Sequence, residues 1–188
     1  MNLSETKGGI RMHALDAMKN RTSYRGKFEK TLIPRVDLVK IMEAGLAAPS
    51  GSNMQTVSLI AVDDPEILAE LAQVAAPLKH QPAPAIICIL TQKLPAYKGR
   101  FFNVQDYSAA IQNILTAIVS LGYESCWYEG TVKDDDDMGK QMADILGVPE
   151  AYNLISYSPV GVACEAVQFP KKKPFEERAW FNGFKKES

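Results

Sequence analysis

Apolar residues fall at helical spacing near the start of the chain, where Ile10, Ala14, Ala17 and Met18 predict one face of a helix over about 10–20. A polar, basic run, NRTSYRGKFEK, follows it. Pro34 suits a first helical position, and Val36, Val39, Ile41 and Met42 predict the apolar face of a second helix. That helix ends before Pro49, because the residue preceding a proline avoids helical dihedrals, and APSGSN reads as a loop. A β-branched run, TVSLIAV, predicts a strand over 56–62. Asp63 or Asp64 caps a helix over 65–75. QPAP then breaks the chain before AIICIL, a buried strand over 85–90. A long helix is predicted over 105–121, stopped by Gly122. A short strand over 125–128 and a helix over 135–146 come next, the helix ending at Gly147 and Pro149. The last strand, over 154–164, is expected to be interrupted or bulged at Pro159, which has no ladder donor.

This order of elements suggests a parallel sheet covered by helices on both faces. The helix over 105–121 is unusual in its pattern. Its only polar stripe is Ser108, Gln112, Thr116 and Ser120, so it needs cover on most sides, and a partner subunit is expected to supply some of it.

Composition narrows the class. At 188 residues, a single domain over 1–188 is expected. Lys and Arg total 21 against 22 Asp and Glu, which excludes the basic excess of a nucleic-acid binder. Hydrophobic residues at 46% and charged residues at 23% exclude a disordered chain. No apolar stretch reaches the ~20 residues that span a bilayer, and MNLSETKGGIRM has no apolar signal core. Cys88, Cys126 and Cys164 are too far apart for paired zinc spacing and odd in number for a disulfide framework. His13 and His80 have no partner at metal-ligand spacing. A reduced, cytoplasmic protein without a metal is the expectation.

Four segments carry candidate chemistry, and each has a plain structural reading beside it. Arg21-Thr22-Ser23-Tyr24-Arg25 offers two guanidiniums and two hydroxyls able to cradle a phosphate, or is a solvated basic turn. Pro49-Ser50-Gly51-Ser52-Asn53-Met54-Gln55 offers donors and acceptors for a heteroaromatic edge, or is an ordinary turn. Trp127-Tyr128-Glu129-Gly130 closes a predicted strand, where ligands of open sheets often sit, or is core followed by turn. Lys171-Lys172-Lys173-Pro174 is a basic tail that solvent alone accounts for.

Together, in this order, the segments resemble the nitroreductase family of FMN-dependent NAD(P)H oxidoreductases, in its short form. The resemblance is carried by R-x-S-x-R at Arg21, Ser23 and Arg25, and by A-P-S-x-x-N-x-Q at Ala48, Pro49, Ser50, Asn53 and Gln55. It continues through D-x-x-A-x-x-Q-N at Asp106, Ala109, Gln112 and Asn113, E-G at Glu129 and Gly130, and a basic-Pro-acidic tail at Lys172, Pro174 and Glu176. It implies an α+β fold with a mixed sheet surrounded by helices in an intertwined homodimer, in place of the parallel sheet. It implies that Arg21, Thr22, Ser23, Arg25 and Lys172 hold the FMN phosphate and ribityl chain, and that Glu129 and Gly130 place backbone near the flavin N5. Pro49, Ser50, Gly51 and Asn53 would come from the neighbouring subunit and close over the ring, and Gln55 would also bind the cofactor. The activity implied is ping-pong transfer from NAD(P)H to flat, electron-poor acceptors such as nitroarenes and quinones. A flavin-binding protein with a regulatory or storage role and a bare dimeric interaction module are the other readings.

Overall fold

The computed structural model describes residues 13–129 and 137–184. Helix α1 (Ala14–Asn20) leads, followed by α2 (Arg35–Leu46), strand β1 (Val57–Val62), α3 (Pro65–Val74) and α4 (Ala76–His80). Strand β2 (Ala85–Thr91), α5 (Asn103–Ser120), α6 (Met138–Ile145) and β3 (Asn153–Val160) complete the helices and strands among the described residues. Residues 10–12 and 135–136 of the predicted helices, and Gly130, lie outside the described residues.

The strands pair in the order β1-β2-β3, antiparallel at both junctions. The parallel sheet suggested by element order is therefore wrong, while the α+β class implied by the resemblance holds. The reason lies in the connection between β1 and β2. One helix there would carry the chain across the sheet and start a parallel strand. Instead α3 breaks at Ala75 into the short α4, and β2 starts beside the end of β1, with Ile86 opposite Val62. Asp64 caps α3, its carboxylate accepting from the backbone of Glu66 at 2.9 Å and Ile67 at 3.2 Å.

β2 is buried along its whole length, as its unbroken apolar run requires. Its side chains alternate between two cores. Ile86, Cys88 and Leu90 pack with Tyr24, Phe28, Leu71, Met142 and Tyr157, while Ala85, Ile87 and Ile89 pack with Ile41, Tyr107, Ile111 and Ile114. Helices α3, α4 and α6 cover the first face, and α2 and α5 the second.

Pro159 does not interrupt β3: it pairs opposite Ile86, and the register shift falls between Ile89 and Leu90. Its effect appears on the strand's other side. Tyr157 donates its N–H to the Tyr128 carbonyl at 3.0 Å, and Gly161 donates to Glu124 at 3.4 Å. Alternation points the backbone nitrogen of Pro159 the same way, but it carries no hydrogen. The strand predicted over 125–128 is thus reduced to two bridges, Glu124 with Gly161 and Tyr128 with Tyr157, leaving Cys126 between them.

Two apolar faces differ from expectation. In α2 the buried side is Leu38, Ile41 and Gly45, leaving Val36 and Val39 exposed. In α5 the buried residues Ala110, Ile111, Ile114, Leu115, Ile118 and Val119 are covered by α1, α2 and the sheet of the same chain, so α5 alone does not demand a partner. Exposed apolar side chains gather elsewhere: Leu15 and Met18 on α1, Val36, Val39 and Leu46 on α2, and Phe169, Phe175, Phe181 and Phe184 in the tail. Among the described residues no helix is long and apolar enough to cross a membrane.

Candidate functional site

Past the end of α1 the chain runs extended, and the backbone of Tyr24 donates to the Ser125 carbonyl at 2.8 Å. An extended chain alternates its side chains. Thr22 and Tyr24 turn inward and are buried, while Arg21, Ser23 and Arg25 stand on the outer side. The Thr22 hydroxyl donates to the Gln168 carbonyl at 3.1 Å, anchoring the tail just before the lysines Lys171 to Lys173, all exposed. The Tyr24 hydroxyl donates to the Lys27 carbonyl at 2.6 Å across Gly26, where a Cβ would lie 2.5 Å from the Tyr24 hydroxyl oxygen. The side-chain amide of Gln81 donates to the Arg25 carbonyl, and its oxygen accepts from Tyr128 at 2.9 Å.

All three outward side chains lie within electrostatic reach of the buried Cys126 thiol. Burial pushes the Cys126 thiol up, opposed by the charge of Arg25, a hydrogen bond with Ser23 and the charge of Arg21. Among the described residues neither guanidinium has a carboxylate within ion-pair distance. Two cationic forks and a hydroxyl without an acidic partner form a donor set that fits a multivalent anion such as a phosphate ester. Sequence reasoning placed Cys126 in the core, where it is, and had no signal for the charges around it.

The loop after α2 is built differently. A single turn over Gly51–Asn53 carries left-handed backbone at Ser52 and Asn53, and Gln55 repeats it with φ 50°. The Gln55 N–H donates to Ser50 Oγ at 2.9 Å. Asp106, in the first turn of α5 and 3% exposed, accepts from the Gly51 N–H at 2.8 Å and from the Thr56 hydroxyl at 2.7 Å. Gly51 is needed for that approach, because a Cβ there would lie 2.7 Å from the Phe102 side chain. A small cavity of about 170 Å³ lies beneath, lined by Pro49, Ser50, Gln55 and Asp106 among others. Ser52, Asn53 and Gln55 are exposed on this fixed frame. Asn113, further along α5, donates to the Ala44 carbonyl at 3.0 Å and ties α5 to α2.

Glu129 ends the described part of the segment that carries Cys126, so it lies along one strand edge from Arg21 and Arg25. It is half-buried and accepts a hydrogen bond from the Tyr107 hydroxyl at 2.9 Å. Neither Asp106 nor Tyr107 was a site candidate from sequence, although Asp106 opens the D-x-x-A-x-x-Q-N motif. A separate apolar cavity of about 380 Å³ between α3, α4 and residues 28–32 contains none of the expected site residues.

Residues 18–82 and 79–162 match the family model described as Nitroreductase family. A protein of Archaeoglobus fulgidus, named "Putative NADH dehydrogenase/NAD(P)H nitroreductase", is 34% identical over 145 residues, 75% of this chain and 77% of that one. Among solved structures, an FMN-dependent nitroreductase from Clostridium difficile superposes with a TM-score of 0.73 at 28% identity, covering 90% of this chain and 99% of that one. A nitroreductase with bound FMN from Bacteroides fragilis gives a TM-score of 0.70 at 25% identity, covering 90% and 98%. With matched segments reaching from α1 through β3 on a fold shared with these structures, the chain belongs to the nitroreductase family.

Proposed function

We propose that the chain is an FMN-dependent oxidoreductase that takes reducing equivalents from NAD(P)H and delivers them to flat, electron-poor acceptors such as nitroarenes and quinones. The observation that carries this reading is the outward row of Arg21, Ser23 and Arg25, whose guanidiniums have no carboxylate partner among the described residues, a phosphate-fitting donor set. It lies on the strand edge that ends at Glu129. When bound, FMN supplies the redox step, accepting hydride from the nicotinamide and releasing electrons to the acceptor. Arg21 and Arg25 bind its phosphate, with Ser23 as a further donor and Lys172 closing from the tail. Thr22 contributes by holding that tail through Gln168. Glu129 and Gly130 meet the ring edge.

Pro49, Ser50, Gly51, Asn53 and Gln55 act across a homodimer, orienting the ring of the neighbouring subunit and excluding water from it. Three features support a second copy: the exposed apolar residues of α1 and α2, the aromatic tail, and the outer edge of β1, which has no paired strand among the described residues. An obligate interface of this kind buries about 2,000 Å² or more. Donor and acceptor are both flat and use the same ring face in turn, which gives ping-pong kinetics.

The test starts with colour. Purified protein incubated with FMN should show the bands of oxidised flavin and scatter light as a dimer. Initial rates against NAD(P)H at several acceptor concentrations should then give parallel lines. A preparation that stays colourless sinks the cofactor reading. A flavin spectrum without NAD(P)H oxidation favours a storage or regulatory role, and intersecting lines remove the shared-face mechanism.

A further inference from the structure

The segment joining β2 to α5 holds three cations, Lys93, Lys98 and Arg100, and no Asp or Glu lies between Glu70 and Asp106. It folds back on itself as a hairpin. Pro95 bridges Phe101, the Ala96 N–H donates to the Arg100 carbonyl at 2.8 Å, and the Arg100 N–H donates to the Tyr97 carbonyl at 3.2 Å. Both ends are fixed to the Gly51 loop. The Gln92 N–H donates to the Thr56 carbonyl at 2.9 Å, and the Phe102 side chain fills the space beside Gly51.

The hairpin spends its large side chains on solvent. Tyr97 is 58% exposed and Phe101 47%, although aromatic rings contribute most when buried. Lys98 Nζ lies 5.1 Å from the centre of the Tyr97 ring, and Lys93 Nζ lies 5.1 Å from that of Phe101. All three cations are exposed, and none has a carboxylate partner among the described residues. The tip is strained as well. Lys98 has φ 54° and Gly99 φ 72°, left-handed backbone that suits Asn, Asp or Gly at the first of these positions. Folding alone gives no reason for a lysine there.

We propose that the hairpin 93–101 is a binding surface for flat anions, molecules with an aromatic body and a carboxylate, sulfonate or phosphate at its edge. Tyr97 and Phe101 supply stacking area, while Lys93, Lys98 and Arg100 supply charge and N–H donors beside it. A neutral ring gains only the stacking, and a cationic one meets repulsion. The surface uses no residue of the 21–25 segment and no flavin, so it goes beyond the functional reading above. Its base is rigid because the Gly51 loop that carries it is pinned by Asp106.

Equilibrium dialysis of the full chain in excess FMN tests this with three bicyclic probes: 2-naphthalenesulfonate, 2-methoxynaphthalene and N-methylquinolinium. The sulfonate should bind about three- to tenfold more tightly than the neutral ring, the cation should bind most weakly, and the preference should shrink in high salt. Lys98→Asn suits the left-handed backbone, so it should weaken sulfonate binding severalfold without lowering the unfolding midpoint. Tyr97→Ala should weaken the sulfonate and the neutral probe alike, and Lys79→Ala, an exposed lysine elsewhere, should change neither. Equal affinity for the three probes overturns the proposal. So does a sulfonate loss found in Arg21→Ala in place of the hairpin variants, which assigns the probe to the 21–25 segment. Light scattering that shows dissociation in Tyr97→Ala also overturns it, because the hairpin then serves a second copy of the chain.

Discussion

The segment 21–25 and the loop 49–56 are both polar, both follow a helix and both belong to the site, yet they spend their polar groups differently. The loop satisfies itself: Ser50, Gly51 and Thr56 are bonded within the chain, two of them to the buried Asp106. The segment leaves its charges open, with Arg21 and Arg25 beside Cys126 and no carboxylate partner among the described residues. One region is a shape that the fold maintains without a ligand. The other is an unmet demand for negative charge. Damage to the first should appear as lost stability, and damage to the second as lost binding.

The largest effect that would break this contrast is at Asp106. Asp106→Ala strands the Gly51 N–H and the Thr56 hydroxyl, each bonded to a charged oxygen, and should cost about 3–5 kcal/mol. Denaturant unfolding of the flavin-free protein measures it, and a loss below about 1 kcal/mol would mean that the loop does not depend on its pins.

Arg21→Ala should behave in the opposite way. Unfolding should move by no more than about 0.5 kcal/mol, as for a surface change. FMN should bind roughly 10- to 150-fold more weakly, from about 1.5–3 kcal/mol of charge-assisted hydrogen bonding. Riboflavin, which lacks the phosphate, should lose little. Equal losses for the two flavins would assign Arg21 a structural role and erase the contrast.

The smallest effect belongs to an ion pair outside both regions. Arg35 forks onto Asp63 with bonds of 2.8 and 2.9 Å, and the hydrogen bond from Arg35 holds the Asp63 carboxyl below its ordinary value. A depressed carboxylate stabilises the fold above its unfolded pKa and stops doing so as pH falls through its folded value. Wild type and Arg35→Ala should therefore differ slightly in unfolding midpoint at neutral pH and converge in acid. A difference independent of pH would show that the pair contributes through packing alone.

Much of this arrangement was written locally in the chain, and what was not has identifiable causes. β2 was legible because a strand buried on both faces must be apolar throughout. The faces of α2 were not, because Val36 and Val39 compete with Leu38 and Ile41, and only the packing against α5 chooses between them. Strand direction escaped because α4, five residues with Pro77 in its first turn, leaves hardly any periodic trace. In the site, alternation separates Arg21, Ser23 and Arg25 from Thr22 and Tyr24, a pattern local enough to read once the segment is known to be extended. The roles of Asp106 and Tyr107 depend on partners 50 and 22 residues away, a relation that no local pattern contains.

The outer edge of β1 has a consequence for how the protein is made. Its sequence, VSLIAV, holds no charge and no proline, and among the described residues nothing pairs beyond it. Such an edge is a template for any other extended chain, including copies still emerging from the ribosome. Yield should then depend on how quickly the edge is covered relative to how fast chains accumulate. Slow synthesis at low temperature favours recovery of dispersed material, and rapid overproduction favours inclusion bodies seeded by this one hexapeptide.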